Sequence, residues 1–176
     1  MASTGMTTTT ATEADPADLA GMFDRYAREL LRYCTRRVGE HVAEDVVAET
    51  FLVAYERRDR YDASRGGMLP WLYGIATNLL RRHWRLEVRA LKALAEAGPA
   101  DEERAAERVD AQRTVRRLAA VLASLPRRQR DVLLLHAVAE LEYAEIAAAL
   151  GIPLGTVRSA LHRARAKVRT ALEAQE

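Results

Sequence analysis

Apolar residues recur every third or fourth position through most of this 176-residue chain, and no stretch alternates apolar with polar for the length of a strand. Leu19, Met22, Phe23, Tyr26, Leu30, Tyr33 and Cys34 follow helical spacing and predict a first helix from Pro16 to about Val38. A second is expected from about Val42 to Arg58, with Val47, Phe51 and Ala54 on one stripe. The segment from Asp59 to Met68 has a loop signature, and Pro70 suits the first turn of a third helix running through Trp84. Its core stripe is Leu72, Ile75, Ala76 and Leu79, extended by His83 and Leu86. Only 9 glycines and 5 prolines punctuate the chain, which favours long helices over many turns.

The pattern decays after Arg89. Gly98-Pro99 and the acidic stretch to Asp110 read as a connector, partly helical at most. A second helical block starts near Ala111, with Leu118, Val121, Leu122 and Leu125 on one stripe. Further helices are expected over 127–138, 142–150 and 154–172. The fold class is therefore all-α: residues 1–15 as a disordered tail, a helical domain over 16–89, a linker over 90–110, and a second helical domain over 111–176. With 6% aromatics, the cores must be mainly Leu, Ala, Val and Ile. No apolar run is long enough for a membrane span, and Met1–Ala20 lacks a signal-peptide pattern, so a cytoplasmic protein is expected. The single cysteine, Cys34, excludes an internal disulfide and a cysteine-rich zinc site. His41, His83, His136 and His162 lie on separate helices without paired ligand spacing, so neither a metal, a cofactor nor catalytic chemistry is expected.

The net charge of +2 conceals blocks of opposite sign. Glu40–Glu56 holds five acids and no Lys or Arg, whereas Leu154–Thr170 holds five cations and no acid. Nearly all the cations are Arg, which suits bidentate phosphate or guanine contacts, although a GC-rich coding sequence gives the same bias. The strongest local signal lies at Tyr143–Val157. A helix-turn-helix needs a small residue where its helices touch, a residue tolerant of positive φ in the turn, and an aliphatic plug beyond. Ala147, Gly151 and Val157 supply them. On the second helix Val157, Leu161, Ala164 and Val168 form a core stripe, leaving Arg158, Ser159, His162, Arg163 and Arg165 on the other surfaces. A polar face of cations, Ser and His without acids suits a major groove, whereas a plain solvated face normally mixes signs.

In the first domain Trp71, Asn78, Arg81, Arg82 and Arg85 lie opposite the core stripe, with Trp84 at the margin. Rings, cations and an amide are what single-stranded nucleic acid requires, though Trp84 and Tyr73 equally serve as packing. On the preceding helix Asp45, Glu49 and Glu56 share a side that would repel nucleic acid. A basic protein partner or a simple solvated surface both fit it.

Together these stretches resemble the extracytoplasmic-function (ECF) group of bacterial RNA polymerase sigma factors, in the sigma-70 family. Asp45-Val-Val-Ala-Glu49-Thr-Phe51 is similar to the polymerase-binding segment, and Trp71-Leu-Tyr-Gly-Ile-Ala-Thr-Asn78-Leu-Leu-Arg-Arg to the segment that melts and reads the −10 element. Leu125-Pro-Arg-Arg-Gln-Arg-Asp-Val-Leu, and Glu145 through Ser159, resemble the −35-reading domain. The resemblance implies that Asp45, Glu49 and Phe51 bind core RNA polymerase (β and β′ subunits). It implies that Trp71, Asn78, Arg81, Arg82 and Arg85 handle the −10 strand, and that Arg158, Ser159, His162, Arg163 and Arg165 hold −35 promoter DNA. An anti-sigma factor becomes a candidate partner, and no extra carboxy-terminal domain is expected. Against the family pattern, Ala48 stands for a common Gln, Gly74 for a frequent Arg, Arg82 near a usual Asp, and Glu142 for a capping Ser. A stand-alone helix-turn-helix regulator is the alternative; it accounts for the second domain but not for the acidic helix or the Trp-Asn-Arg face.

Overall fold

The computed structural model describes residues 15, 18–96 and 106–173, and among them every regular element is helical. Eight α-helices follow in order: α1 (Leu19–Val38), α2 (Glu40–Glu56), α3 (Met68–Leu80), α4 (Trp84–Glu96), α5 (Ala106–Ser124), α6 (Arg127–Ala137), α7 (Tyr143–Leu150) and α8 (Leu154–Glu173). Asp18 caps α1, its Oδ1 accepting the Gly21 N–H at 2.9 Å. The first bundle packs α1, α2 and α3 on Met22, Leu30, Tyr33, Val47, Phe51, Leu72 and Leu80, all buried. In the second, α6, α7 and α8 enclose Val132, Leu135, Ile146, Val157 and Leu161.

Several boundaries differ from the sequence reading. The expected helix through Trp84 ends at Leu80, and a 3₁₀ turn over Arg81–His83 redirects the chain into α4. Leu86, expected in the core stripe, is consequently exposed, and His83 is only half-buried. Helix α4 continues to Glu96 and α5 begins at Ala106, so both ends of the expected linker are helical, and residues 97–105 lie outside those described. The expected tail falls almost wholly outside them too.

The two bundles dock on each other. α3 lies against α7 and α4 against α5, and the buried apolar side chains form one continuous cluster. At the centre is a group of charges that no stripe of apolar residues predicts. Arg37 of α1 donates from Nε to Glu87 Oε1 at 2.8 Å, and from one terminal nitrogen to Asp131 Oδ1 at 2.7 Å. Its other terminal nitrogen donates to the Tyr33 hydroxyl at 2.7 Å. Burial raises the Tyr33 pKa above the usual phenol value despite the neighbouring guanidinium, so the hydroxyl keeps its proton and can donate it to Thr77 Oγ1, 3.0 Å away. Arg130 of α6 lies 3.4 Å from Glu87 Oε2 and binds the last carbonyls of α5, those of Leu122 and Leu125, at 3.3 and 3.1 Å. Arg37, Glu87, Arg130 and Asp131 are each at most 4% exposed. Two cations and two anions leave the buried group neutral, which is the condition for burying charges at all.

Removing one member leaves its partners charged and dry. Arg37→Ala should therefore lower stability by about 3–5 kcal/mol in urea titration. A loss below about 1 kcal/mol would mean that water enters the cluster freely. Beside it, burial pushes the Cys34 thiol up to about 12. Native protein should accordingly resist a thiol reagent at neutral pH and react only at the rate at which it unfolds; labelling within minutes would contradict the packing.

Candidate nucleic-acid and polymerase interfaces

Three surfaces collect the residues singled out by the sequence. The first is the α7–α8 hairpin, whose helices meet at 109°, within the range of a helix-turn-helix. Helix α7 starts with a capping box, in which the Glu142 N–H donates to Glu145 Oε2 at 2.8 Å; a carboxylate thus serves where Ser is common. The helix ends at Gly151, in the left-handed conformation at φ 62°, and the Gly151 and Ile152 N–H groups close on Ala148 and Ala147 carbonyls. Val157, Ala160, Leu161 and Ala164 are buried under α8, and Val168 is half-buried.

Arg158, Ser159, His162, Arg163 and Arg165 are all exposed. Arg158, His162 and Arg165 share one edge of the helix, with Ser159 and Arg163 on the adjoining surface. Arg165 donates to the Tyr143 hydroxyl at 3.2 Å, which steadies it without hiding it. The hairpin thus offers a cation-rich outward face on a rigid support, the arrangement that enters a major groove.

The second surface surrounds α3. Asn78 is exposed, Trp71 half-buried with its ring 5.1 Å from that of Tyr61, and Arg85 exposed at the start of α4. Arg81 donates to Asn78 Oδ1 at 2.6 Å and lies 3.5 Å from Asp131 of α6. Arg82 pairs with Glu49 at 2.8 Å, both side chains largely in solvent, so this pair contributes little to stability. Trp84 is 41% exposed, a stacking surface rather than core.

The third surface is on α2. Asp45 is exposed and Glu49 half-exposed, as a partner-binding acidic edge requires. Phe51 is 3% exposed, its ring centroid 5.1 Å from that of Phe23, so it supports this surface from beneath and offers no contact of its own. Sequence reasoning missed the apolar residues that do face outward. Phe23, assigned to the core stripe, is 48% exposed and Leu52 is 57% exposed. With Leu19, Ala20 and Ala48 they line a shallow notch beside the acids. Leu52 was legible as a large aliphatic side chain one position off the buried stripe. The small Ala48 in place of a long side chain helps keep the notch open.

Each bundle matches a known family. Residues 22–90 match the Sigma-70 region 2 family and residues 115–168 the Sigma-70, region 4 family. The ECF RNA polymerase sigma factor SigW of Bacillus subtilis is 31% identical over 175 residues, which cover 91% of each chain. The ECF RNA polymerase sigma factor SigE of Mycolicibacterium smegmatis is 35% identical over 150 residues, 82% of this chain but 58% of the relative. The chain therefore spans little more than half of one such relative and nearly all of another. Among solved structures, CnrH in complex with the cytosolic domain of CnrY has a TM-score of 0.63 at 26% identity, covering 90% of this chain and 89% of CnrH. The sigma factor RpoE in complex with the anti-sigma factor NepR, from Bartonella quintana, shares the fold at a TM-score of 0.60 and 20% identity, over 90% of this chain and 99% of that one.

Nothing lies within 4 Å of a Cβ added at Gly151, so substitution there probes the backbone alone. Gly151→Ala should cost about 1 kcal/mol, the left-handed penalty less the gain from a stiffer unfolded chain. Gly151→Asn should cost less, and urea midpoints of the two variants check the order.

Proposed function

This chain belongs to the extracytoplasmic-function group of the sigma-70 family of RNA polymerase sigma factors, and on that premise we propose how its three surfaces divide the work of promoter recognition and transcription initiation. The α7–α8 hairpin holds the −35 duplex. Arg158, Arg163 and Arg165 neutralise phosphates or reach guanine edges, and Ser159 and His162 add hydrogen bonds. Around α3, Asn78 takes an extruded base of the −10 element while Trp71, Arg81, Arg82 and Arg85 support the melted strand. Extruding a base costs a few kcal/mol, which stacking and the held polymerase must offset. The acidic edge of α2, Asp45 and Glu49, binds a basic element of core polymerase, and Phe23 and Leu52 complete it with apolar contact. Phe51 acts there only by holding Phe23 in place.

The single observation that carries this reading is the coexistence of an acid-free recognition helix with a separate acidic edge on one chain. A free-standing operator-binding regulator has use for the first and none for the second. The chain performs no chemistry of its own; nucleotide addition is the partner's, and the cytoplasm is where that partner works. A further partner is an anti-sigma segment, supported by the likeness to CnrH, which was solved with CnrY. An apolar groove of about 930 Å³ between α5, α6 and α8, rimmed by Arg36, Arg165 and Arg169, suits an amphipathic helix with acidic flanks.

Run-off transcription with bacterial core polymerase on a promoter library tests the proposal directly. The chain should direct initiation from a discrete set of promoters, and failure to bind core or start any transcript would overturn the reading. Arg158→Ala or Arg163→Ala should weaken the selected promoters by about 1–3 kcal/mol for each hydrogen-bonded base that the side chain no longer reaches. Asp45→Arg should reduce core binding in a pull-down while circular dichroism stays unchanged. Full-strength pull-down would remove α2 as the polymerase surface.

A further inference from the structure

The docking of the two bundles covers the surface on which the −10 strand would have to lie. At 100° per residue Trp71, Gly74 and Asn78 fall on one face of α3, with Gly74 between the other two. That glycine is where α7 touches. A Cβ added at Gly74 would collide with the carbonyl oxygen of Ala149 and sit 3.0 Å from its carbonyl carbon. Trp71 and Tyr61 line a crevice of about 150 Å³ whose other wall is Ala148 and Ala149. Asp131 of α6 also holds Arg81, a cation of the same surface. Nucleic acid could not reach this face without displacing α7.

We infer that the free chain is self-occluded: α7 docks on the strand-binding face of α3, locked by the Arg37–Glu87–Arg130–Asp131 cluster, and undocking precedes −10 engagement. The inference rests on the assignment of α3 made above, and the dimensions of the promoter support it. A compact chain of 176 residues has a radius of gyration of about 16 Å. Its reading surfaces thus lie at most about 40 Å apart. Elements centred about 25 base pairs apart are separated by roughly 85 Å of duplex. The docked form can offer the outward α8 face to DNA, but it cannot span both elements.

The substitution at Gly74 isolates the contact. Gly74→Ala adds one methyl group against a backbone carbonyl, which cannot swing aside as a flexible side chain would, while favouring the helix itself. Overpacking of this kind shifts an equilibrium by about five- to a hundredfold.

Dyes at Glu44→Cys and Lys167→Cys, both exposed, report the separation of the bundles, and the buried Cys34 stays unlabelled. Wild type should show high energy transfer. Gly74→Ala should lower it, whereas Gly155→Ala, where an added Cβ meets nothing within 4 Å, should not. A random-sequence single-stranded 12-mer, bound through stacking with little sequence preference, is the ligand probe. Gly74→Ala should bind it at least fivefold more tightly than wild type. Saturating wild type with the oligonucleotide should itself reduce energy transfer, which needs no substitution and remains decisive if Gly74→Ala folds poorly.

Equal, low transfer in wild type and Gly74→Ala would show that the bundles do not dock. Opening without a rise in oligonucleotide affinity, or wild type saturated with transfer unchanged, would show that α7 does not cover the binding face. None of these readouts involves polymerase, so the occlusion can fail while run-off transcription succeeds, and the reverse.

Discussion

Arg37 holds the molecule together at one point. Its guanidinium spans Glu87 of α4 and Asp131 of α6, and its remaining nitrogen reaches through Tyr33 to Thr77 of α3. Four helices from both bundles therefore converge on one side chain at most 4% exposed. Because the cluster is neutral, it tolerates burial, yet a matched ion cluster gives little net affinity compared with apolar packing of equal volume. When the bundles part, the four charges regain water, and that hydration offsets the attraction they give up. An apolar contact would have no such return. The cluster thus sets the docking register without making docking irreversible.

Gly74 complements it. The ion cluster requires the helices to stand at a particular distance, and only a residue without Cβ lets α3 come that close to the Ala149 carbonyl. At the position where a long cation is frequent in the family, this chain has a contact with its own second domain. The rest of the α3 surface is arranged around that contact, with Arg81 drawn to Asp131 and to Asn78, and Arg82 drawn back to Glu49.

Most helices were legible because an apolar stripe is a local signal, read within a dozen residues. The stripe Val157, Leu161 and Ala164 located the buried side of α8, and hence its outward face, without any knowledge of the rest of the chain. Where packing is shared with a distant element the signal fails. The pattern decays after Arg89 because α4 leaves Leu86 and Leu94 partly exposed, yet the helix continues to Glu96 against α5. Periodicity gives Phe51 and Phe23 the wrong sense of exposure because two adjacent rings pack together and only the outer one is wet. Arg37 sits in register with Leu30, Tyr33 and Cys34 on α1, so a charge on an apolar stripe was visible; its partners, fifty and ninety-four residues away, were not. Gly74 could be read only as a departure from a pattern, since its meaning lies in Ala149.

The placement of the surfaces also restricts what can open the docked form. A ligand shifts a conformational equilibrium only by the difference in its affinity for the two states. The acidic edge of α2 and the cation face of α8 are exposed in the docked form, so binding confined to either one offers no such difference. Only two kinds of contact discriminate: one made on the covered face of α3, or one that binds both bundles at a separation the docked form cannot reach. Single-stranded DNA at Trp71 and Asn78 is the first kind. A surface holding α2 and α8 far apart together is the second, and there the gain grows with the effective concentration that the intervening chain permits. Promoter duplex alone therefore leaves the chain closed on its −35 face, and opening awaits a partner that engages both bundles at once or a strand already free to compete with α7.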